Sequence, residues 1–290
     1  MVYVRNMSAN DDSKLRLDQK VVELIPGLSR KMAAQLIEEG QVAIAGRVQL
    51  KPGMKIKTSD QITVDYDESQ LYATPDIKIP ILFQDQDCLV IDKPPGLLTH
   101  SKGSFNPEAT VATFIKPFLE GVSGERAGIV HRLDRATSGV MICSRNEVAS
   151  KWLQKQFSSR KVKKTYIAIV KGEVETPEAL IDMPIERNPK HPQTFRVGLN
   201  GRQAKTRYRV IKKGNGITML ELTPETGRTH QLRVHLSQIG HPILGDKLYD
   251  DQIDDRLYLH ALRLELTLPS REHRVFEAKL PTEFHKRMKL

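Results

Sequence analysis

The densest polar cluster in the 290-residue chain is His131-Arg-Leu-Asp-Arg-Ala-Thr-Ser-Gly139, set between Ile129-Val130 and the apolar run 140–143. A charged turn between two apolar runs is where a scaffold presents reactive groups. Its one carboxylate, Asp134, lies between Arg132 and Arg135. Such a carboxylate can add to an electrophilic carbon or take a proton. The same residue types also make ordinary surface salt-bridge turns, and the turn alone does not decide between the two. Tyr166, in Lys164-Thr-Tyr166-Ile-Ala-Ile-Val, offers a ring and a hydroxyl, or is simply a core aromatic on a strand. His230, Gln231, Arg233 and His235 crowd the stretch Thr226-Gly-Arg228-Thr-His-Gln-Leu-Arg-Val-His235. Histidines five residues apart, with no carboxylate or thiol nearby, suit a metal poorly, so no metal is assigned. A metal-dependent nuclease would need clustered carboxylates that the chain lacks.

The elements that must position these groups are mostly strands. Strand-like runs recur at 81–83, 88–91, 140–143, 166–170, 208–211, 218–222 and 262–268. Two stretches read as helices, 108–119 and 146–157, the second capped by Asn146 with Val148, Ala149, Trp152, Leu153 and Phe157 on one face. Many strands and few helices predict an α+β fold around a mainly antiparallel mixed sheet, placed at residues 80–285. Residues 14–67 read as a separate small α/β unit. Ser29 caps a helix with Met32, Ala33, Leu36 and Ile37 on its apolar face, and Gly40 ends it. Val42 and Ile44, then Val48 and Leu50, alternate about an Ala45-Gly46 turn, and Ile62, Val64 and Tyr66 alternate again. Residues 68–79, polar and interrupted by Pro75, are placed as the linker.

Charge is distributed unevenly. The chain has 45 Lys and Arg against 35 Asp and Glu, yet residues 1–75 hold 10 of each sign, so the excess lies beyond them. Residues 14–57 carry nine basic and four acidic groups, and residues 151–166 and 202–213 each carry six basic groups and no acid. Stripes of this kind suit a polyanion. No apolar run is long enough to span a membrane, the first seven residues have no apolar signal segment, and Cys88 and Cys143 both sit in apolar strand-like runs. Those features point to a reducing compartment and a cytoplasmic protein.

Residues 14–67, with Gly40-Gln-Val-Ala-Ile-Ala-Gly-Arg-Val48 and Ser59-Asp60-Gln-Ile-Thr-Val64, resemble the S4-type RNA-binding domain, except that Ala45 stands where that family usually has Asn. The charged turn, the Lys164 and Thr226 stretches, Val90-Ile-Asp-Lys-Pro-Pro-Gly-Leu-Leu-Thr-His100, Gly240-His-Pro-Ile-Leu-Gly-Asp246 and Leu259-His-Ala261 resemble RNA pseudouridine synthases of the RluA/RluD type. Departures are Arg202, where Lys is commoner, and Ser101, where Pro is.

The resemblance implies an isomerase that cleaves the C1′–N1 bond of uridine, rotates the base and rejoins C1′ to C5, with no cofactor. It implies Asp134 as the essential carboxylate, Arg228 beside it as a charge partner, and Tyr166 against the base. Arg132 would fill the space left by a flipped uridine. His131, Arg135, Lys93, Arg202, Lys205, Arg30, Lys31 and Arg47 complete the expected RNA-binding set. Large-subunit ribosomal RNA is the implied substrate ahead of transfer RNA, and a monomer without membrane contact the implied state. The alternative is a non-catalytic RNA-binding or ribosome-assembly protein, which would not need Asp134, Tyr166 and Arg228 together.

Overall fold

Apolar spacing and one buried carboxylate organise the N-terminal residues. The computed structural model describes residues 2–4, 14–25, 28–57, 59–66, 77–100, 108–122, 124, 126–251 and 254–289; most of the expected linker lies outside them. Contacts divide the chain into two units, one within residues 1–76 and one formed by Ile77–His100 with Thr110–Leu290.

In the first unit, β1 (Val2–Val4) and β2 (Lys14–Arg16) precede two helices, α1 (Leu17–Leu24) and α2 (Arg30–Glu38). Ser29 caps α2 by accepting the Met32 N–H, and Ala33, Leu36 and Ile37 face the core with Leu17 and Val21 of α1 and Ile25 just after it. Asp18, almost fully buried, accepts from Arg16 and Arg30 and so ties α1 to α2; Arg16 foremost holds its carboxyl down at about 2. After α2 come β3 (Val42–Ile44), β4 (Arg47–Val48), β5 (Lys55–Lys57) and β6 (Ile62–Asp65). Four of the strands pair in the order β1-β6-β3-β4, and β2 pairs β5. Ala45 and Gly46 join β3 to β4 at φ 46° and 77°, both left-handed as a two-residue hairpin turn requires. The strand expected to continue through Leu50 stops at Val48, and both side chains are exposed.

The second unit is a sheet of nine strands. Its strands are β7 (Ile81–Gln84), β8 (Cys88–Lys93), β9 (Ser138–Ser144), β10 (Lys163–Lys171), β11 (Glu178–Asp182), β14 (Lys205–Gly214), β15 (Ile217–Pro224), β16 (Leu259–Thr267) and β17 (His273–Glu277). Between β11 and β14 lies the separate ribbon of β12 (Ile185–Arg187) and β13 (Phe195–Val197). The order is β11-β14-β15-β10-β16-β9-β8-β7, and β17 adds to β16. Every pairing in this sheet is antiparallel except β16 with β9, which meet at His260–Ser138 and Ala261–Gly139. Gly139 is required at that meeting: its φ is 116°, and a Cβ there would lie 2.2 Å from the Ala261 carbonyl oxygen. The mixed, mainly antiparallel sheet expected from the sequence is therefore present.

Helix α3 (Val111–Ile115) is shorter than the expected 108–119. Thr110 caps it reciprocally with Thr113, and Pro117 permits only a 3₁₀ turn, Lys116–Phe118, beyond it. Helix α4 (Glu147–Ser158) starts at the Asn146 cap as expected, burying Ala149 and Leu153, while Val148 faces outward. Two helices not expected from the sequence follow, α5 (Gln231–Gln238) and α6 (Thr282–Met288). Two apolar cores result, one around Ile91, Met141, Ile142 and Leu264, the other around Ile169, Leu220, Leu222 and Leu236, and Tyr166 packs against both. Among the described residues no helix is long and apolar enough to cross a membrane.

Candidate active site

The turn that carries Asp134 is pinned on both sides by the segment after β8. Thr99 Oγ1 donates to the Leu133 carbonyl at 2.8 Å and accepts the Leu133 N–H at 3.3 Å. The Arg135 carbonyl accepts from the Gly96 N–H at 2.8 Å and from Lys93 Nζ at 3.2 Å. Lys93 is 0% exposed and also donates to the Pro94 and Leu97 carbonyls at 2.9 Å. Three backbone oxygens thus occupy an ammonium whose burial pushes it down to about 7. The expected RNA contact at Lys93 is corrected: its amino group holds the turn through these hydrogen bonds and is inaccessible to phosphate.

Asp134 lies at the floor of a cleft of about 550 Å³. Its partner is Arg233, whose Nη1 is 3.5 Å from Oδ2, while His230 Nε2 is 4.0 Å from the same oxygen. The rest of the Arg233 guanidinium grips Asp246 through Nε at 2.7 Å and Nη2 at 2.6 Å, and its Cζ lies 5.1 Å from the Tyr249 ring centre. Asp246 is buried, so the bidentate pair is a fixed platform from which Arg233 reaches Asp134.

The expected Asp134–Arg228 pair is therefore corrected. Arg228 precedes the turn in which His230 adopts φ 56° and starts α5; its Nε donates to the Gln203 carbonyl at 3.1 Å, at the rim. Arg233, more than one helical turn further on, points inward. Gln231 fixes this turn, accepting from Thr226 Oγ1 and the Arg228 N–H and donating to the Lys205 carbonyl and Thr206. His235 is turned away toward Thr206 and the Met183 carbonyl. The four polar residues read as a poor metal set thus face four separate duties.

Tyr166 lies on β10 at a bulge in its pairing with β16 and lines the cleft with Asp134. Burial, reinforced by Asp134, raises its phenol above the ordinary range, so the hydroxyl keeps its proton at neutral pH. Arg132 is exposed and lines the same cleft.

His131 lines the cleft, but its ring is engaged with the core. Its ring stacks on Phe157 at 4.4 Å, and Nε2 accepts the Ile142 N–H at 3.1 Å. Burial first, and Lys164 second, push it down to about 3. A neutral ring used up in the core does not bind phosphate, so its place in the RNA-binding set is corrected. Lys205 pairs with Asp182 at 2.8 Å and, like Arg202, is absent from the cleft lining. Arg135 is exposed beside Asp134; Arg30, Lys31 and Arg47 are exposed on the first unit, Arg30 being paired with Asp18.

Two cleft cations escaped the sequence reading as binding groups. Arg160 ends α4 at φ 57°, a left-handed position where glycine is commoner, and stands exposed at the rim. Lys164 Nζ donates to the Thr226 carbonyl at 3.3 Å, and burial, with Arg160 nearby, pushes it down to about 8. The basic stripe 151–166 signalled both.

The cleft thus brings together a carboxylate, an aromatic ring and several basic side chains. Residues 87–238 match the RNA pseudouridylate synthase family profile and residues 15–62 the S4 domain profile. The chain belongs to the RNA pseudouridylate synthase family, whose members are isomerases. It is 38% identical over 241 residues to an uncharacterized RNA pseudouridine synthase of Aquifex aeolicus, covering 81% of this chain and 76% of that one. It is 37% identical to the ribosomal large subunit pseudouridine synthase D of Nitrosomonas europaea, over 93% of this chain and 82% of that one. Human RNA pseudouridylate synthase domain containing 4 has a similar structure, with TM-score 0.58 and 29% identity over 72% of this chain and 93% of that one.

Proposed function

We propose that this protein isomerises uridine to pseudouridine in large-subunit ribosomal RNA, with Asp134 as the reacting carboxylate. The observation that carries the reading is Asp134, held by Arg233 at the cleft floor with Tyr166 alongside. Asp134 adds to the uridine or takes a proton from its ribose, the C1′–N1 bond breaks, and the freed uracil turns before C1′ joins C5. Arg233 sets a positive charge beside the carboxylate oxygen Oδ2 and orients it for these steps. Tyr166 supplies a face for the uracil and a protonated hydroxyl at the point where the base must turn. A paired uridine exposes neither atom to the cleft, so the base leaves the stack, and Arg132 takes its place there. Arg135 and Arg228 at the rim, Arg202, and Arg30, Lys31 and Arg47 of the S4-like unit contact the RNA backbone. The ribosomal substrate is supported by the names of relatives such as that of Nitrosomonas europaea. The enzyme works as a cytoplasmic monomer without a cofactor.

Rejoining at C5 expels the hydrogen there, so the test is tritium release from C5-labelled uridine in large-subunit RNA and in transfer RNA. Release confined to the ribosomal RNA is expected. Release from transfer RNA alone would overturn the substrate, and no release from either would overturn the activity.

A further inference from the structure

The two oxygens of Asp134 face unlike surroundings. Oδ2 faces Arg233 Nη1 at 3.5 Å and His230 Nε2 at 4.0 Å, and among the described residues Oδ1 accepts no hydrogen bond. The protonation of His230 follows from its other nitrogen. Nδ1 lies 2.8 Å from the Tyr249 hydroxyl, and that hydroxyl already accepts the Phe195 N–H at 2.8 Å. Among the described residues Nδ1 is the one acceptor within reach of the hydroxyl proton, so the hydroxyl donates to Nδ1, and burial keeps that proton on the phenol up to about 12. A neutral imidazole that accepts at Nδ1 carries its hydrogen at Nε2. That N–H faces Asp134.

The charged and titratable groups around the ring are Asp134 and Arg132 from the turn before β9, Arg233 on α5, and Asp246 and Tyr249 beyond it. The Phe195 ring of β13 closes the remaining side, with ring centres 5.6 Å apart. The backbone gives no reason for a histidine here: at φ 56° and ψ 17° asparagine or glycine is at least as comfortable.

We infer that His230 is a positioning residue for Asp134: its Nε2, 4.0 Å from Oδ2 and so beyond hydrogen-bond length, closes on that oxygen beside Arg233 when the uridine is bound, so that Oδ1 is the oxygen that meets the uridine. Tyr249 acts one step further out, by fixing which nitrogen of His230 holds the hydrogen. The inference rests on the reading of Asp134 as the reacting carboxylate.

Two substitutions separate this role from a merely structural one. In His230→Gln the amide nitrogen falls near the place of Nε2, toward Asp134, and the tie to Tyr249 is lost. In His230→Asn the amide falls near Nδ1, keeps a polar group against Tyr249 and suits the left-handed backbone, but nothing reaches Asp134. The experiment measures thermal midpoint, RNA dissociation constant and single-turnover tritium release for both variants, for Tyr249→Phe and for Asp134→Asn. The Asn variant should be the more stable, yet the Gln variant should react about fivefold faster at saturating RNA, the scale of one hydrogen bond. Binding should be similar in both.

Equal rates, or a faster Asn variant, would overturn the inference. If either variant is unfolded, Tyr249→Phe decides: a rate lowered about threefold at saturating RNA supports the role, and an unchanged rate overturns it. An active Asp134→Asn protein would instead overturn the reading on which the inference rests.

Discussion

Arg233 at the floor of the cleft and the cations at its rim share one cavity and live under opposite conditions. Arg233 is nearly buried and meets two carboxylates, Asp246 by a bidentate pair and Asp134 at longer range. Arg132, Arg160, Lys164 and Arg228 line the same cleft, and among the described residues none has a carboxylate partner. A buried, paired charge is fixed before substrate arrives and serves to orient a reacting group. Charges without a carboxylate partner remain free to neutralise phosphate, an interaction that salt weakens. Floor substitutions should therefore act on turnover, and rim substitutions on binding and its salt dependence.

The largest effect is expected at the floor. Asp134→Asn is nearly isosteric, should bind RNA within about threefold of the wild type, and should lower single-turnover tritium release by at least about 10³-fold. Release within about tenfold of wild type would remove Asp134 from the chemistry. Tyr166→Phe keeps the ring and loses the proton, so its rate should fall by about 10²–10⁴ if the hydroxyl transfers a proton, with KM little changed. A rate within about threefold would confine Tyr166 to stacking.

At the rim the effect is smaller and of another kind. Lys164→Met should raise KM for RNA by about tenfold, flatten its dependence on salt and leave kcat alone. The ammonium of Lys164, pushed down to about 8, carries its charge at pH 7 and loses it as pH rises through that value. The wild-type KM should therefore climb between pH 7 and 9, and the Lys164→Met KM should not. Parallel pH profiles for the two proteins would take Lys164 out of RNA binding.

Much of the frame was legible. The strand runs at 88–91, 140–143 and 166–170 are strands, and Ser29 and Asn146 cap the helices they were expected to cap. Each signal is local: alternation, or a polar side chain placed before an apolar face. Asp134 and Tyr166 were legible as a pair only through the resemblance, since β10 and the turn before β9 meet through β16.

What was not legible depends on direction rather than residue type. Helix α5 is short and begins at a left-handed His230 with no side-chain cap, so nothing in the sequence marked its start or said which arginine would face inward. Lys93 and His131 looked like two more groups for RNA, yet each is turned into the protein to satisfy backbone groups, loop carbonyls for Lys93 and the N–H of Ile142 within β9 for His131. Strands β11, β12, β13 and β17 are short and rich in charge, which hides alternation.

The division between floor and rim is tested most directly by measuring kcat and KM for Arg233→Lys and Arg228→Gln on the same ribosomal RNA. Lysine keeps the charge but cannot span both Asp246 and Asp134, so Arg233→Lys should lower kcat by about 10²-fold or more with KM within about threefold. Arg228→Gln should raise KM by up to about tenfold and leave kcat within about threefold. The reverse pattern, turnover lost with Arg228 and retained in a folded Arg233→Lys protein, would contradict the pairing of Asp134 with Arg233.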